Sequence, residues 1–417
     1  MEGINLGFIK LKGDKVIWII IFLLSMISVM AVYSSSNALA FMEKKNTIDY
    51  LFRQMQFILF SLTTVFLFYN IPLGVYRMFS FLVMPAAILL LIVTMTSGAS
   101  YNDADRWIKV FGFTIHTGEI AKIAIIMYLS RVMEARKFDN FKEFAYWVVA
   151  PLGFAVLLIL NGSISMGLLI SAVSFLMFVI AGIKWNHLFK TALIGVAAIA
   201  MVVLLNLSFG IFPRVETAVN RIKNFTTEKT IDSELSPIEK QQLLDKTFQA
   251  DMARIAVASV GVFGKGPGNS TQRNLLPHPF SDFIYAIIIE EYGLLLGGVF
   301  VLMLYLWFLA RAIMVTKKCS TKFSSMLVMG LAILITSQAL LHICVNVGLL
   351  PVTGHTLPLV SLGGTSLIIM GGAFGMILSV SRTVEAGNDI EANSPAQAEA
   401  PQDQENTPVT DQNEEIK

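Results

Sequence analysis

Residues 261–292 read GVFGKGPGNSTQRNLLPHPFSDFIYAIIIEEY, and this segment changes character three times. A turn with four glycines comes first, and a polar segment flanked by prolines follows. Asp282 then stands at the start of a strongly apolar run that ends in two adjacent carboxylates, Glu290 and Glu291. Charged groups in such a run are costly unless they are paired or hydrated. The segment therefore predicts a polar site at the edge of an apolar span.

The composition indicates a polytopic membrane protein. Of the 417 residues 55% are hydrophobic and 14% are charged, and the mean hydropathy is +0.67. This balance lies far outside that of soluble domains. A formal net charge of +2, without a basic stripe and interleaved aromatics, argues against a nucleic-acid partner. The two cysteines, Cys319 and Cys344, lack the spacing of metal ligands.

Ten apolar segments are long enough to cross a membrane, where about 20 residues make one crossing. These segments are 16–36, 53–71, 79–97, 117–134, 144–161, 163–183, 188–210, 283–309, 324–346 and 362–381. The predicted fold is an all-α integral membrane protein, a bundle of about ten transmembrane helices. One long extracytoplasmic loop, at about 211–282, lies between helices 7 and 8.

The distribution of Lys and Arg sets the orientation, because short cytoplasmic loops are enriched in both. Fifteen lie on the side of the N-terminus: Lys10, Lys12, Lys15, Arg77, Arg131, Arg136, Lys137, Lys142, Lys184, Lys190, Arg311, Lys317, Lys318, Lys322 and Arg382. Five lie on the other side: Lys44, Lys45, Arg53, Arg106 and Lys109. Both termini are therefore predicted to be cytoplasmic, with an N-terminal segment at 1–15, the membrane domain at 16–382 and a disordered acidic tail at 383–417.

The long loop carries a helix signal of its own. Ser236, Pro237 and Glu239 match the cap, first-turn and capping-box positions of a helix N-terminus. Apolar residues recur beyond them at helical spacing, namely Leu244, Phe248, Met252 and Ile255. We expect an amphipathic helix that lies along the membrane surface or against the bundle.

Asp282 has two interpretations from the sequence. Ser281 and Asp282 are residue types that favour a helix N-terminus, where unpaired N–H groups attract an acid. Alternatively, Asp282 is a carboxylate at the outer membrane surface that acts as a general base. The roles of Glu290 and Glu291 are left open by the sequence as well. These carboxylates could orient cations, hold a metal, or pack against a Lys or Arg.

Two further polar clusters accompany this segment. Arg106 and Lys122 are candidate cations for a pyrophosphate, although Lys122 is three residues from Glu119 and the two could simply neutralise each other. Residues 346–366, NVGLLPVTGHTLPLVSLGGTS, interrupt a membrane span with glycines and prolines. Irregular backbone at that depth is tolerated only inside protein or beside a wet cavity. The lone His355 is more often structural than catalytic.

The glycine turn does not match a phosphate-binding P-loop. Gly266 follows Lys265 where such a loop needs Ser or Thr, and no strand precedes it. We therefore expect no nucleotide and no organic cofactor.

Taken together, the three clusters resemble the SEDS family (shape, elongation, division, sporulation) of polytopic membrane proteins, and most of all its cell-division branch. The matching motifs are Arg106-Trp107-Ile108 with Glu119 and Lys122, the segment from Gly264 through Leu276-Pro277 to Asp282 and Glu290-Glu291-Tyr292-Gly293, and Leu350-Pro351 to Gly354 and Leu357-Pro358-Leu359 with Ser361, Gly363 and Gly364. The resemblance spans about residues 16–382. The chain departs from the family pattern in the Asn161–Ser165 region, which has no acid, and at His355 and Leu362.

The resemblance implies a peptidoglycan glycosyltransferase that polymerises lipid II during septal cell-wall synthesis. It implies a location in the cytoplasmic (inner) membrane at the division septum, and a partnership with a class B penicillin-binding protein and other division proteins. Asp282 is the catalytic candidate and a candidate ligand for a divalent cation, Mg or Mn. The substrate-binding candidates are Arg106, Glu119, Lys122, Lys265, Asn269, Ser270, Gln272, His278, Glu290, Glu291, Ser361, Gly363 and Gly364.

Two other functions are compatible with the sequence. A flippase or transporter of a lipid-linked precursor would need a polar path at the bilayer midplane, whereas the strongest polar motifs are predicted at one face. A non-catalytic scaffold of the division machinery would need only its partner surfaces and would tolerate the loss of Asp282.

The predicted orientation is testable by cysteine labelling. In a variant without Cys319 and Cys344, a cysteine near Lys240 should react with a membrane-impermeant thiol reagent added outside, and one near Lys137 should not. Labelling after membrane disruption is the control for thiol accessibility. The opposite pattern would refute the orientation.

Overall fold

The computed structural model describes residues 4–5, 10–35, 47–97, 99–101, 104–110, 113–209, 213–229, 237–276 and 280–393. In the first half of the chain the helices are α1 Lys15–Ser35, α2 Thr47–Asn70, α3 Leu73–Ser97, α4 Thr117–Ala135, α5 Phe141–Phe144, α6 Ala150–Gly162, α7 Ile164–Ile180 and α8 Trp185–Phe209. A π-helical turn, Ala145–Val149, joins α5 to α6.

The second half contains two loop helices and the last spans. The helices are α9 Pro213–Lys229, α10 Pro237–Ala258, α11 Ile284–Gly293, α12 Phe300–Lys317, α13 Lys322–Asn346 and α14 Thr365–Asn393. A second π-helical turn, Leu294–Val299, joins α11 to α12, so that 284–317 forms one long span.

Each of the ten predicted spans falls on a helix, and the all-α membrane fold is confirmed. Within the described part of the chain, eight helices are long and apolar enough to cross a membrane. The other two predicted spans fall on α7, which is apolar but has 17 residues, and on α4, which carries charged residues near both ends. The number of ten crossings stays a prediction.

Two small antiparallel sheets were not predicted. Strands β1, Ile4–Asn5, and β2, Lys10–Leu11, pair near the N-terminus. Between α3 and α4 a three-stranded sheet has the order β3, β4, β5, with β3 at Ala99–Tyr101, β4 at Ala104–Val110 and β5 at Phe113–His116. The Thr365 hydroxyl donates to the Thr114 carbonyl at 2.8 Å, which ties β5 to the start of α14.

The N-terminus of α1 is fixed by Asp14. Its Oδ1 accepts hydrogen bonds from the amides of Val16 at 2.9 Å and Ile17 at 3.2 Å, which is the geometry of a helix cap. Arg311 of α12 lies 2.5 Å from the same carboxylate, and the Asp14 amide donates to Ser381 of α14 at 2.9 Å. The carboxylate and the amide of Asp14 together connect three helices.

The helix predicted for the long loop is α10, and it begins at Pro237 as the capping signal indicates. Two of its predicted apolar residues, Phe248 and Ile255, are exposed, so they do not pack against the bundle, and their contact with the membrane surface stays a prediction. Ala253 and Ala256 are buried instead, in a cluster with residues of α11. The small alanine side chains allow the backbones of α10 and α11 to approach closely, which larger side chains at these positions would prevent. A second loop helix, α9, was not predicted.

The last helix is longer than its predicted span. Helix α14 continues past Arg382 to Asn393, and the carboxylate of Glu385 accepts a hydrogen bond from the Gly13 amide. The tail was predicted to begin at residue 383, whereas the helix continues to Asn393. Residues 394–417, the rest of that tail, lie outside the described residues.

Close packing of α14 on α2 depends on two glycines four residues apart. A Cβ at Gly371 would lie 2.5 Å from Ser61 Oγ and 2.6 Å from the Ser61 carbonyl oxygen. A Cβ at Gly375 would lie 2.5 Å from the carbonyl oxygen of Val65. This is the small-xxx-small arrangement by which membrane helices bring their backbones together.

Adding a methyl group at these glycines should separate the two helices. Overpacking of a tight contact costs about 1–3 kcal/mol, so Gly371→Ala and Gly375→Ala should each lower the midpoint of thermal unfolding of the detergent-purified protein. Gly372→Ala is the matched control, because a Cβ there would meet its nearest neighbours at 3.6 Å, an ordinary contact. Equal midpoints for all three variants would contradict this account of the packing.

Candidate functional site

Asp282 lies in the turn that precedes helix α11. Helix α11 begins at Ile284, and its N-cap is Phe283, which makes no side-chain capping bond. The amide of Ala286, in the first turn of α11, donates both to the Phe283 carbonyl at 3.1 Å and to Oδ1 of Asn346 in α13 at 3.0 Å. A side chain from another helix thus bonds to the first turn of α11, and the interpretation of Asp282 as a helix cap stays a prediction.

The main chain around Asp282 is held on both sides. Asn346 Nδ2 donates to the Asp282 carbonyl at 3.0 Å. The Ser361 hydroxyl donates to the Ser281 carbonyl at 2.8 Å, and the Leu362 amide donates to the Phe280 carbonyl at 2.9 Å. The half-buried Asp282 is thus carried by a turn whose backbone position is set from α13 and from the segment that follows α13.

That following segment, residues 347–364, has the irregular backbone that the sequence predicts. Its glycine at 354 has φ +70, and a Cβ there would lie 3.9 Å from Oδ2 of Asp282. Glycine at 354 therefore allows the left-handed backbone conformation and leaves the space beside the Asp282 carboxylate free of a side chain. Leu359 adopts φ 61, which is uncommon for a residue with a side chain.

Six carbonyl groups of this segment accept hydrogen bonds from side chains on five different helices. The pairs are Arg221 to Val352, Ser165 to Thr353, His342 to His355, Gln338 to Thr356, Tyr305 to Pro358 and Ser28 to Val360, at distances of 2.6–3.2 Å. We call residues 352–360 the carbonyl segment. An irregular backbone inside an apolar bundle needs such partners, because no lipid can supply them.

Ser361, Gly363 and Gly364 follow the carbonyl segment. The Ser361 hydroxyl is occupied within the protein, since it also accepts from the Leu357 amide at 2.8 Å. The Gly363 amide donates to the Ser361 carbonyl at 2.8 Å. These three residues shape the turn beside Asp282, and their predicted contact with substrate stays a prediction.

Glu119 and Lys122 form a buried ion pair at the start of α4. Lys122 Nζ lies 2.9 Å from Glu119 Oε2, and both side chains are almost fully enclosed. Nζ also donates to Oε1 of Gln338 at 2.6 Å, and Gln338 Nε2 donates to the Thr356 carbonyl at 3.0 Å. The pair is therefore connected through Gln338 to the carbonyl segment.

Two of the predicted binding residues are described only in part or not at all. Arg106 lies in β4, next to Trp107, whose Cα is paired with that of His116 immediately before α4. The Arg106 side chain and the whole of His278 lie outside the described residues.

Glu290 is the anchor of the glycine turn. Its buried carboxylate lies 2.6 Å from Lys265 Nζ. It also accepts from the Ser270 hydroxyl, from the amide and hydroxyl of Thr271 at 3.1 and 2.8 Å, and from the Gln272 amide at 3.3 Å. The Asn269 side chain donates to the Lys265 carbonyl at 3.1 Å. The structure therefore shows Glu290 packed against a lysine, which is one of the three roles left open by the sequence.

Glu291 holds the same region from its other side. Its carboxylate accepts from the Ser34 hydroxyl of α1 and lies 3.7 Å from Arg273 Nη1, which also donates to the Ser34 carbonyl at 2.9 Å. A Cβ at Gly264 would lie 2.1 Å from the Glu291 carbonyl oxygen. The glycine turn therefore packs backbone to backbone on the end of α11.

Comparison with known proteins agrees with these features. Residues 14–386 match the model of the FtsW, RodA and SpoVE proteins, described as cell cycle proteins. The chain belongs to the SEDS family. Stage V sporulation protein E of Bacillus subtilis (strain 168) is 32% identical over 380 residues, which cover 89% of this chain and 98% of that protein. The probable peptidoglycan glycosyltransferase FtsW of Geobacter sp. (strain M18) is 29% identical over 376 residues, which cover 88% and 96%.

Solved structures show the same SEDS fold. The rod shape determining protein RodA of Thermus thermophilus superposes with a TM-score of 0.63 at 21% identity, over 89% of this chain and 97% of that one. A chain from a structure of a peptidoglycan synthase complex gives a TM-score of 0.64 at 22% identity, over 89% and 98%. At these identities the likeness concerns the fold.

Sequence reasoning missed three polar residues of α13 that reach the site of this SEDS chain. Gln338, His342 and Asn346 follow each other at four-residue spacing, so they lie on one helix face, and all three are buried. The signal was present, because polar residues inside an apolar span are rare and face the bundle interior.

A divalent cation at Asp282 would depend on the substrate. Among residues with described positions, no group of three His, Cys, Asp or Glu side chains could hold a metal ion. Mg²⁺ is often bound by one or two carboxylates together with substrate phosphates, and a single aspartate fits that mode. Mn²⁺ prefers similar oxygen ligands.

The buried Glu119–Lys122 pair should affect the thermal stability of the protein. Removing one partner of a buried pair leaves an uncompensated charge and costs about 3–5 kcal/mol, so Lys122→Met should strongly lower the midpoint of thermal unfolding. The double variant Glu119→Gln, Lys122→Met should recover much of it, because no buried charge remains. Lys184→Met is the control, since Lys184 pairs with Asp139 on the surface, 58% and 84% exposed, where ion pairs contribute little. A double variant no more stable than Lys122→Met would contradict the pairing.

Proposed function

We propose that this SEDS protein is a peptidoglycan glycosyltransferase that polymerises lipid II into glycan strands during septal cell-wall synthesis. Membership of the family supports the proposal, as do the relatives named as FtsW glycosyltransferases. The observation that carries it is the placement of Asp282. Its turn is fixed through main-chain bonds immediately before an apolar helix.

The proposed reaction transfers a glycan from a polyprenyl pyrophosphate to a sugar hydroxyl. Asp282 accepts the proton of the acceptor hydroxyl as its oxygen forms a bond to the anomeric carbon of the donor. The bond from that carbon to the pyrophosphate oxygen breaks, and the lipid pyrophosphate leaves as an anion. The leaving group is already stable, so the site needs positive charge near it more than a general acid.

Arg106 and Lys122 are proposed to supply that charge. Guanidinium pairs with phosphate in a bidentate manner, which suits Arg106 for direct contact. Lys122 is enclosed by Glu119 and Gln338, so we assign it an electrostatic role from the interior. A divalent cation held by Asp282 and the pyrophosphate would add further positive charge.

Partners and location follow from the same proposal. Lipid II is the substrate, and the partner is a class B penicillin-binding protein acting with other division proteins. One structure with the same fold belongs to a peptidoglycan synthase complex, which supports a complex of this kind. We place the protein in the cytoplasmic membrane at the septum, with both termini in the cytoplasm and the Asp282 turn on the outer face.

Replacement of Asp282 by Asn tests the chemistry. Asn keeps the shape of the side chain but cannot accept a proton at neutral pH, and the loss of a general base costs a factor of about 100 to 10,000 in rate. We expect Asp282→Asn to fold normally and to make almost no glycan from purified lipid II, assayed by gel with and without the class B partner. Asp139→Asn, a surface carboxylate far from this turn in sequence, is the matched control and should be as active as wild type.

The alternatives give different results in the same assay. Polymerisation by Asp282→Asn within a few-fold of wild type would exclude Asp282 as the base. A wild-type protein that makes no glycan even with its partner, yet supports division in cells, would favour the scaffold. Movement of lipid II across vesicle membranes that is insensitive to Asp282→Asn would favour the flippase.

A further inference from the structure

Helix α13 carries a row of three polar side chains, Gln338, His342 and Asn346, which we call the polar stripe. Their exposed fractions are 0%, 1% and 0%. Buried polar groups in an apolar bundle are destabilising unless they are bonded. Together the three members are bonded to α4, to the carbonyl segment, to the turn that carries Asp282 and to α11, so the stripe connects those elements.

The two members farther from Asp282 hold the carbonyl segment in register. His342 Nδ1 lies 2.7 Å from the His355 carbonyl oxygen, and because a carbonyl only accepts, Nδ1 carries the proton. Gln338 Nε2 donates to the next carbonyl, that of Thr356, at 3.0 Å. Two consecutive stripe residues therefore bind two consecutive carbonyls, immediately beside Gly354, where an added Cβ would lie 3.9 Å from Oδ2 of Asp282.

Asn346 holds Asp282 itself. Its Nδ2 donates to the Asp282 carbonyl at 3.0 Å and to the His342 carbonyl at 2.9 Å, and its Oδ1 accepts from the Ala286 amide at 3.0 Å. All of these bonds go to main-chain atoms. Asn346 thus fixes both the turn that carries Asp282 and the first turn of α11, and its own side chain forms no bond to the carboxylate.

We propose that the polar stripe positions the general base, and that Asn346 is its principal positioning residue. The stripe sets the distance between Asp282 and the carbonyl segment, because one rigid helix binds both. It also connects them to the Glu119–Lys122 pair, since Gln338 accepts from Lys122 Nζ. The inference rests on the proposed function for its catalytic consequence but not for its structural one.

The structural consequence is measurable without activity. A nitroxide label on Asp282→Cys, in a chain without Cys319 and Cys344, should give a restrained spectrum when Asn346 is present. With Asn346→Ala added, we expect the spectrum to show a more mobile label. Thr336→Val is the matched control, because Thr336 is a buried polar residue of the same helix whose hydroxyl makes no hydrogen bond. An unchanged spectrum with Asn346→Ala would overturn the proposal.

The catalytic consequence is a fall in kcat rather than a rise in KM. Misplacing a reacting group by about 1 Å can cost about 100-fold in rate, so Asn346→Ala should lower kcat for lipid II polymerisation by about 10- to 100-fold. We expect KM to change by less than about 3-fold, because Asn346 is proposed to position the reacting group and not to bind the substrate. Thr336→Val should keep both constants. A loss of kcat that merely follows the fraction of folded protein, measured by size-exclusion chromatography, would indicate a structural role only and would overturn the proposal.

A double-mutant cycle separates this proposal from the proposed function. If Asn346 acts through Asp282, the combination of Asp282→Asn with Asn346→Ala should be no slower than Asp282→Asn alone. Additive losses would overturn the positioning role while leaving Asp282 as the base. A mobile label together with full activity of Asp282→Asn would overturn the proposed base and leave the positioning role intact.

Discussion

An irregular backbone enclosed by apolar helices must find its hydrogen-bond partners within the protein, and this constraint organises the molecule around the carbonyl segment, residues 352–360. Its carbonyls accept from side chains of α1, α7, α9, α12 and α13. The six donors come from five helices, so the segment can keep its shape only when the helices are assembled. The irregular backbone is thus a product of the bundle and, in turn, fastens its helices together.

Helix α11 is the second element that depends on bonds from elsewhere. At its N-terminus Asn346 accepts from the Ala286 amide, and at its C-terminus Glu290 binds Lys265 and the backbone of the glycine turn. Gly293, with φ +85, lets the turn pack on the helix end, because a Cβ there would lie 2.3 Å from the Val262 carbonyl oxygen. Both ends of a ten-residue helix are therefore fixed, and Asp282 lies two residues before it.

Hydropathy predicted the helices well because the membrane imposes a length and a composition on each span. Glycines and prolines likewise predicted the irregular segment, since they disfavour a continuous helix wherever they cluster. The strands between α3 and α4, one of which includes Arg106, were missed, because short antiparallel pairing carries little signal in so few residues. Helix α9 was missed for another reason, because its residues are too polar to match the pattern of a membrane span.

The site itself could be predicted only in its residue types. Asp282, Glu290 and Lys265 were recognised as chemically significant, but their partners were not, because a hydrogen bond between residues 346 and 286 leaves no local pattern. Asn346 illustrates the difficulty, since an Asn at the end of a membrane helix reads as a boundary residue. Its role as a cap for another helix, 60 residues away, exists only in three dimensions.

Fixing α11 at both ends has a consequence for the chemistry at its threshold. A general base must sit within hydrogen-bond reach of the proton that it abstracts, and a carboxylate on a free loop would sample many positions. Here the turn is bonded through main-chain atoms to α13 and to Ser361. Main-chain bonds can fix the position of a residue without consuming the side chain that reacts. The side chains of Asn346 and Ser361 donate these bonds to the carbonyls of Asp282 and Ser281, so both side chains are committed to the position of the turn.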